Sequence, residues 1–438
     1  MKDNKKMELA HWASKYATEN GAKEVSVSVY DSKESEVEVR KQKIEKIQES
    51  IESGLSIKLY VNGKYSTHST NRLKKNELER FIKEAILGTN YLAEDKYRSL
   101  PDRHLCYDGE EKDLKLFDSS YDTIDPRQKI DLAMQVEAET IGMDDRIITV
   151  SGSYGDGSYR SYMVLSNGVE GFKESTSYSV SASASINGGD SRPSDYHYNA
   201  ARFWNQLSGE GVGKYAVERA LRKIGAKKIK SGKMEMLIEN RSVGRVFSSL
   251  LQPLFGYNIQ QKRSFLEGKI GHKIATDLLT ITDNPFIESG RNSRLYDSDG
   301  LAARKMAVIE NGVLRTYYIG DYYGKKLEME PTTGSSSNLI FKSGTKNLEG
   351  LTKDMDEGIL VTGFNGGNSN PATGDFSVGV EGFYVKKGVI IHPVSGMNIT
   401  GNHKDVWNQL IAVGNDPLTN RSWQTPSMMF EGIDFSGL

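Results

Sequence analysis

Zinc and general acid–base chemistry both need imidazole, carboxylate or thiolate groups brought together, and the sequence is sparing with them. Its seven histidines are His11, His68, His104, His197, His272, His392 and His403. None stands three or four residues from another, and no H-E-x-x-H run occurs, so no helix face carries paired ligand nitrogens. Cys106 is the one cysteine and can neither build a thiolate site nor close a disulfide within the chain. It reads as a small residue in an irregular segment rather than a nucleophile. Ser395, in Val394-Ser395-Gly396, lacks the G-x-S-x-G elbow that exposes a hydrolase serine, although triads also form without one. The densest unusual stretch is 363–376, GFNGGNSNPATGDF. It matches neither phosphate-binding glycine pattern. Gly366 and Gly367 permit close backbone approach, while the amides of Asn365, Asn368 and Asn370 and the carboxylate of Asp375 can hydrogen-bond an extended chain. Two readings stay open: a peptide-binding edge, or an elaborate loop packed by its own side chains.

These residues have to be held by elements that the periodicity reveals. In SVGRVFSSLLQPLFG (242–256), Val243, Val246, Phe247, Leu250, Leu251 and Leu254 follow the spacing of one buried helical face, and the polar side carries only Ser, Arg and Gln. An opening helix over about 5–20 precedes alternating Val25, Val27 and Val29, then Val37 and Val39, the pattern of strands. Asn62-Gly63 predicts a hairpin turn, and Asn76 with Glu79 a capped helix start. Asp125 followed by Pro126 opens another helix, which Gly142 closes. Strand 162–165, the turn Asn167-Gly168 and strand 178–186 follow. Tyr178, Val180, Ala182, Ala184 and Ile186 alternate there with a face made only of serine. That face either binds a polar group or is a solvated outer face. A helix over 214–224 ends at Gly225. Beyond it, Asn311-Gly312 and Lys387-Gly388 predict hairpins, and Asn402 caps a last helix carrying Val406, Leu410 and Ile411.

A chain of 438 residues exceeds one ordinary core. The pattern divides it into an N-terminal α+β subdomain (1–93), a linker with a middle α+β subdomain (94–229) and a β-rich C-terminal domain (230–438). The fold class is therefore α+β. The sparse cysteine suits a reducing compartment, and no apolar run has signal-peptide or membrane-span length, so a cytoplasmic protein without membrane contact is expected. With 57 Lys+Arg against 58 Asp+Glu the net charge is −1, and no global field favours nucleic acid. The one basic concentration, Arg219, Arg222, Lys223, Lys227, Lys228, Lys230 and Lys233, reads as a solvated helix end and linker, with nucleic-acid binding as the alternative.

Residues 264–271 (SFLEGKIG), 308–314 (VIENGVL), 368–384 (NSNPATGDFSVGVEGFY), 399–402 (ITGN) and 413–416 (VGND), in this order, resemble the TldD/PmbA family, the "modulator of DNA gyrase" proteins. The resemblance spans nearly the whole chain, more weakly at the N-terminus. It implies a cytoplasmic, heteromeric metallopeptidase acting on peptides or unfolded segments, with roles in peptide maturation and antitoxin turnover. In its TldD-type subunit an H-E-x-x-x-H helix and a cysteine near the C-terminus hold zinc, and the glutamate takes a proton from metal-bound water. Here that helix aligns with 242–256, placing Phe247 and Gln252 at the two histidines and Ser248 at the glutamate. The region of the cysteine reads Asn420-Arg421-Ser422-Trp423. The resemblance thus implies a PmbA/TldE-like subunit with no catalytic residue and no cofactor of its own, zinc being expected in a TldD-like partner. The alternatives are a homodimeric peptide-binding or regulatory protein without peptidase activity, a direct modulator of DNA gyrase, and an enzyme using a site no motif reveals.

Overall fold

The polar and apolar alternation of the N-terminal half is realised as one large antiparallel sheet, seen in a computed structural model that describes residues 4–110 and 112–438. Its strands are β1 (Glu24–Arg40), β2 (Lys43–Val61), β3 (Lys64–Thr70), β4 (Ile147–Leu165), β5 (Glu170–Ile186) and β6 (Ser194–Ala201), ordered β3-β2-β1-β4-β5-β6. The register sets Val27 opposite both Ile57 and Val164, Val37 opposite Tyr154, and Tyr154 opposite Val180. These residues therefore share one face, because side chains directly across a ladder point the same way, while Met163 and Leu165 point to the other face and pack against Tyr296. Helices α1 (Asn4–Glu19), α2 (Lys75–Thr89), α3 (Pro126–Ala138) and α4 (Val212–Arg222) cover the first of these faces. The central pairing of β1 with β4 makes the sheet continuous across the 93/94 division.

Among its described residues, segment 94–122 has no regular structure beyond two single turns. It is nonetheless anchored on the C-terminal half: Cys106 bridges Leu301, and Ser289 N–H donates to Leu114 O at 2.7 Å. Burial pushes the Cys106 thiol up to about 11, as befits an inert structural residue.

The C-terminal half holds two further sheets. Strands β7 (Gly232–Ile238), β8 (Ile281–Asp283), β9 (Met306–Glu310), β10 (Val313–Leu314), β11 (Leu339–Phe341), β12 (Glu357–Ser369), β13 (Asp375–Lys386), β14 (Val389–Asn402), β15 (Leu410–Val413), β16 (Trp423–Gln424) and β17 (Met428–Ser436) divide between them. The smaller runs β10-β9-β8-β11-β16; the larger runs β14-β13-β12-β7-β17-β15, and pairing of β14 with β17 closes it on itself. Helix α5 (Asn240–Leu251) lays its apolar stripe into the core between them.

Local signals placed most boundaries, with corrections. Asn62-Gly63, Asn311-Gly312 and Lys387-Gly388 all form hairpin turns with positive φ at both positions. Asp125 caps α3 in a full capping box with Gln128, but the helix ends at Ala138, before Gly142. The box expected at Asn76 does not form: the helix already begins at Lys75, with Lys74 as an uncapped start. The last helix is a single turn, His403–Val406, and Leu410 and Ile411 belong to β15, which pairs with β17. Most of stretch 363–376 is strand rather than loop, because β12 runs on past its pairing with β7 as an edge arm held by β13, which β14 pairs on its other side.

Candidate functional site

Helix α5 forms as its periodicity requires, and its fully buried Phe247 is 1% exposed. Its ring meets Phe341, Trp423 and Trp407 edge-on, with centroids 5.0, 5.5 and 6.3 Å away. Trp423 belongs to segment 420–423, which the fold brings against helix α5. What meets there is phenyl against indole, and neither offers a metal a lone pair. Ser248 spends its hydroxyl on Arg245 O of its own helix at 2.8 Å, and Gln252 is exposed at the helix end. The residues present do not fit a zinc ion. Among the described residues no group of three or more His, Cys, Asp or Glu could hold a metal. His403 is buried between Phe265 and Phe376, and burial lowers its imidazole to about 4.

The glycine- and asparagine-rich stretch separates into two parts. Asn365, Gly366, Gly367 and Asn368 sit exposed on β12 at a bulge, where Gly366 and Gly367 have φ of +56° and +83°. A Cβ on Gly367 would come within 2.3 Å of Ser377 O, whereas one on Gly366 would meet nothing. Asn370 and Asp375 instead hold the turn at the tip. Asn370 Oδ1 accepts from Ala372 N–H, and Asp375 accepts from Asn402 Nδ2 and the Thr373 hydroxyl at 2.8 and 2.7 Å. The ITGN and NSNPATGD motifs therefore meet here. VGND has a similar bracing role: Asp416 accepts from Ser427 N–H and Oγ, and its carbonyl accepts from Asn240 at the head of α5.

The serine face of β5 is mostly half-buried. Opposite Ser177 and Ser179 lie Gly157 and Gly155, flanked on β1 by Glu34 and Glu36, and these line a trough of about 290 Å³. Further along, Ser183 lines a second cavity of about 370 Å³ between the two halves of the molecule, together with Arg219, Lys223, Arg241, Arg245 and Phe364. Of the basic run at the end of α4, Arg219 and Lys223 are thus drawn inside, whereas Arg222, Lys227, Lys228, Lys230 and Lys233 are exposed, as a solvated helix end and linker would be. Arg219 is buried and makes a bidentate pair with Glu239 at 2.7 and 3.0 Å, and Lys223 reaches Asp195 and Glu381 at 3.1 and 2.7 Å. Burial alone would raise the Asp195 carboxyl, but Arg219 and Lys223 outweigh it and hold it below the ordinary carboxylate range. Sequence reasoning missed Arg241 and Arg245. Their i, i+4 spacing on the polar side of α5 was the available signal.

Three family descriptions match in order: PmbA/TldA metallopeptidase domain 1 over 25–87, the central domain over 120–224 and the C-terminal domain over 231–437. The metalloprotease PmbA homologue of Haemophilus influenzae is 28% identical over 97% of this chain and 95% of its own. Metalloprotease PmbA of Escherichia coli O157:H7 is 27% identical over 92% and 89%. A crystal structure from Bacteroides thetaiotaomicron, described as a candidate modulator of DNA gyrase, superposes with a TM-score of 0.98 at 46% identity, covering 100% of both chains. TldE from Thermococcus kodakarensis shares the fold, with a TM-score of 0.85 at 20% identity over 98% and 99%. Full-length agreement in sequence and in the order of sheets and helices makes this chain a member of the PmbA/TldD family of metallopeptidase-like proteins, also called modulators of DNA gyrase.

Proposed function

We propose that this chain is the metal-free subunit of a cytoplasmic TldD-type metallopeptidase complex, pairing with a zinc-bearing relative that processes peptides or unfolded segments. The observation that carries this reading is the aromatic cluster of Phe247 and Trp423, which stands where the family's ligand positions align. In the partner, zinc would lower the pKa of bound water and polarise the carbonyl under attack. This chain's own residues bind and orient. Exposed Asn365 and Asn368 offer amide donors and acceptors to an extended backbone, and Gly366 lets that backbone approach closely. Asn370 and Asp375 keep the arm in shape.

The test is an assay of each chain alone and of the two mixed, with and without chelator. Metal-dependent cleavage of unstructured peptides by the mixture, with none by this chain alone, is the expected result. Chelator-insensitive cleavage by this chain alone would overturn the reading, as would a partner equally active without it. Elemental analysis of untagged protein should find well under one zinc per chain, and a full equivalent retained after dialysis against chelator would contradict the metal-free assignment.

A further inference from the structure

We propose that the cavity between the serine face of the first sheet and helix α5 receives a peptide carboxylate, held by Arg241 and Arg245. This deepens the reading that the chain handles peptides and rests on it. The cavity is built from both halves of the molecule, with Ser183, Ser194 and Tyr196 on one side and Arg241, Arg245 and Thr362 on the other. Its volume of about 370 Å³ suits the end of an extended chain rather than a folded surface.

The charge within it is unevenly matched. Arg219 and Lys223 pair with three carboxylates, Asp195, Glu239 and Glu381, so that with Arg241 and Arg245 counted the cluster keeps one net positive charge. Arg241 and Arg245 make no ion pair among the described residues. Arg241 donates to Tyr196 O at 2.9 Å and Arg245 to Gly366 O at 3.1 Å, each to a neutral carbonyl. A guanidinium has five N–H donors in a planar fork, so both keep donors for a carboxylate, whose geometry that fork matches. Arg241 also lies in the first turn of α5, where the helix dipole adds to the positive potential.

One neighbour responds to the same charges. Burial, then the charges of Arg241 and Arg219, push His197 down to about 4, so it stands neutral beside the guanidinium and does not add to the cation cluster at physiological pH. Direction follows from Arg245. Its bond to Gly366 O joins the cavity to the exposed arm of β12, so a chain lying on the arm brings its end to the two arginines. Phe364 and Tyr196 give a terminal side chain an apolar wall. A peptide's terminal carboxylate fits this setting better than free phosphate, which would use the arginines but neither the arm nor the wall.

The experiment uses the purified full-length chain and one unstructured, N-terminally labelled peptide in two forms, free acid and C-terminal amide, followed by fluorescence anisotropy. The acid should bind about 10- to 100-fold more tightly, the range for hydrogen bonds to charged groups. The double variant Arg241→Gln, Arg245→Gln should erase that preference, with circular dichroism verifying its fold. Equal binding of the two forms by the wild-type chain, or binding of neither, would overturn the carboxylate site; both leave the subunit reading to the mixed-chain cleavage assay, which does not depend on them. Inorganic phosphate competing as strongly as the free-acid peptide would assign the cavity to phosphate and equally overturn the proposal.

Discussion

Phe247→Ala removes the ring on which Phe341, Trp407 and Trp423 converge, and its cost can be worked from that packing. The side chain is 1% exposed, and all its aromatic neighbours meet it edge-on with centroids 5.0 to 6.3 Å away. Truncating a buried phenylalanine costs about 3 to 5 kcal/mol, and losing several edge-to-face contacts places this site toward the upper end. With a denaturant slope of about 3 kcal/mol per molar urea, a loss near 4.5 kcal/mol lowers the unfolding midpoint by about 1.5 M. Because separate domains can unfold in separate steps, the C-terminal transition should be followed by near-ultraviolet circular dichroism and tryptophan fluorescence, to which Trp407 and Trp423 contribute. Ser248→Ala is the control. Its hydroxyl bonds only a carbonyl of its own helix, so the change should stay within about 0.5 kcal/mol. An unchanged midpoint in Phe247→Ala would refute the claim that this position is a packing element.

Arg219→Ala should cost about 3 to 5 kcal/mol, because it leaves Glu239 and Asp195 buried without their principal cation, and limited proteolysis should then cut faster between α4 and β7. Asp156, fully buried, accepts from Lys129, Tyr121, Tyr154 and Ser35; burial opposes its charge, but these donors prevail and its pKa lies below the ordinary range. A depressed carboxyl stabilises the fold above its unfolded value of about 3.9 and loses that contribution as the pH falls through the lower folded value. The stability deficit of Asp156→Asn should therefore be full near neutrality and shrink below about pH 4 in acid-unfolding curves. Gly367→Val should disorder the β12 arm by collision with Ser377 O, seen as lost amide protection by hydrogen exchange. Gly366→Ala, whose Cβ meets no atom within 4 Å, should cost only the left-handed backbone penalty of about 1 to 2 kcal/mol.

Hairpins and helix faces were legible because their causes are local. Asn-Gly pairs demand positive φ, valines at every second position demand a half-buried strand, and the α5 stripe buries the residues its spacing selects. Errors fell where tertiary contact outranked local composition. Of the two readings left open for the glycine-rich stretch, the self-packed loop gives way to strand, because β13 pairs with β12 through Asn365 and Asn368. Leu410 and Ile411 fit a helix, yet β17 draws them into a sheet. Within the basic run at the end of α4, Arg219 looked solvated because Glu239, the carboxylate that buries it, lies twenty residues away in sequence.

By itself, then, the sequence determined the α+β class, the resemblance to its family and the absence of imidazole, carboxylate and thiolate at the aligned ligand positions, all properties of residue type and spacing. Only the tertiary structure decided that Phe247 and Trp423 fill one space, that a single sheet joins the first two helical layers, and that Arg241 and Arg245 face the serines of β5 across a shared cavity. These juxtapositions connect residues far apart along the chain. They depend on sheet register and on the packing of one half against the other, which local periodicity does not encode.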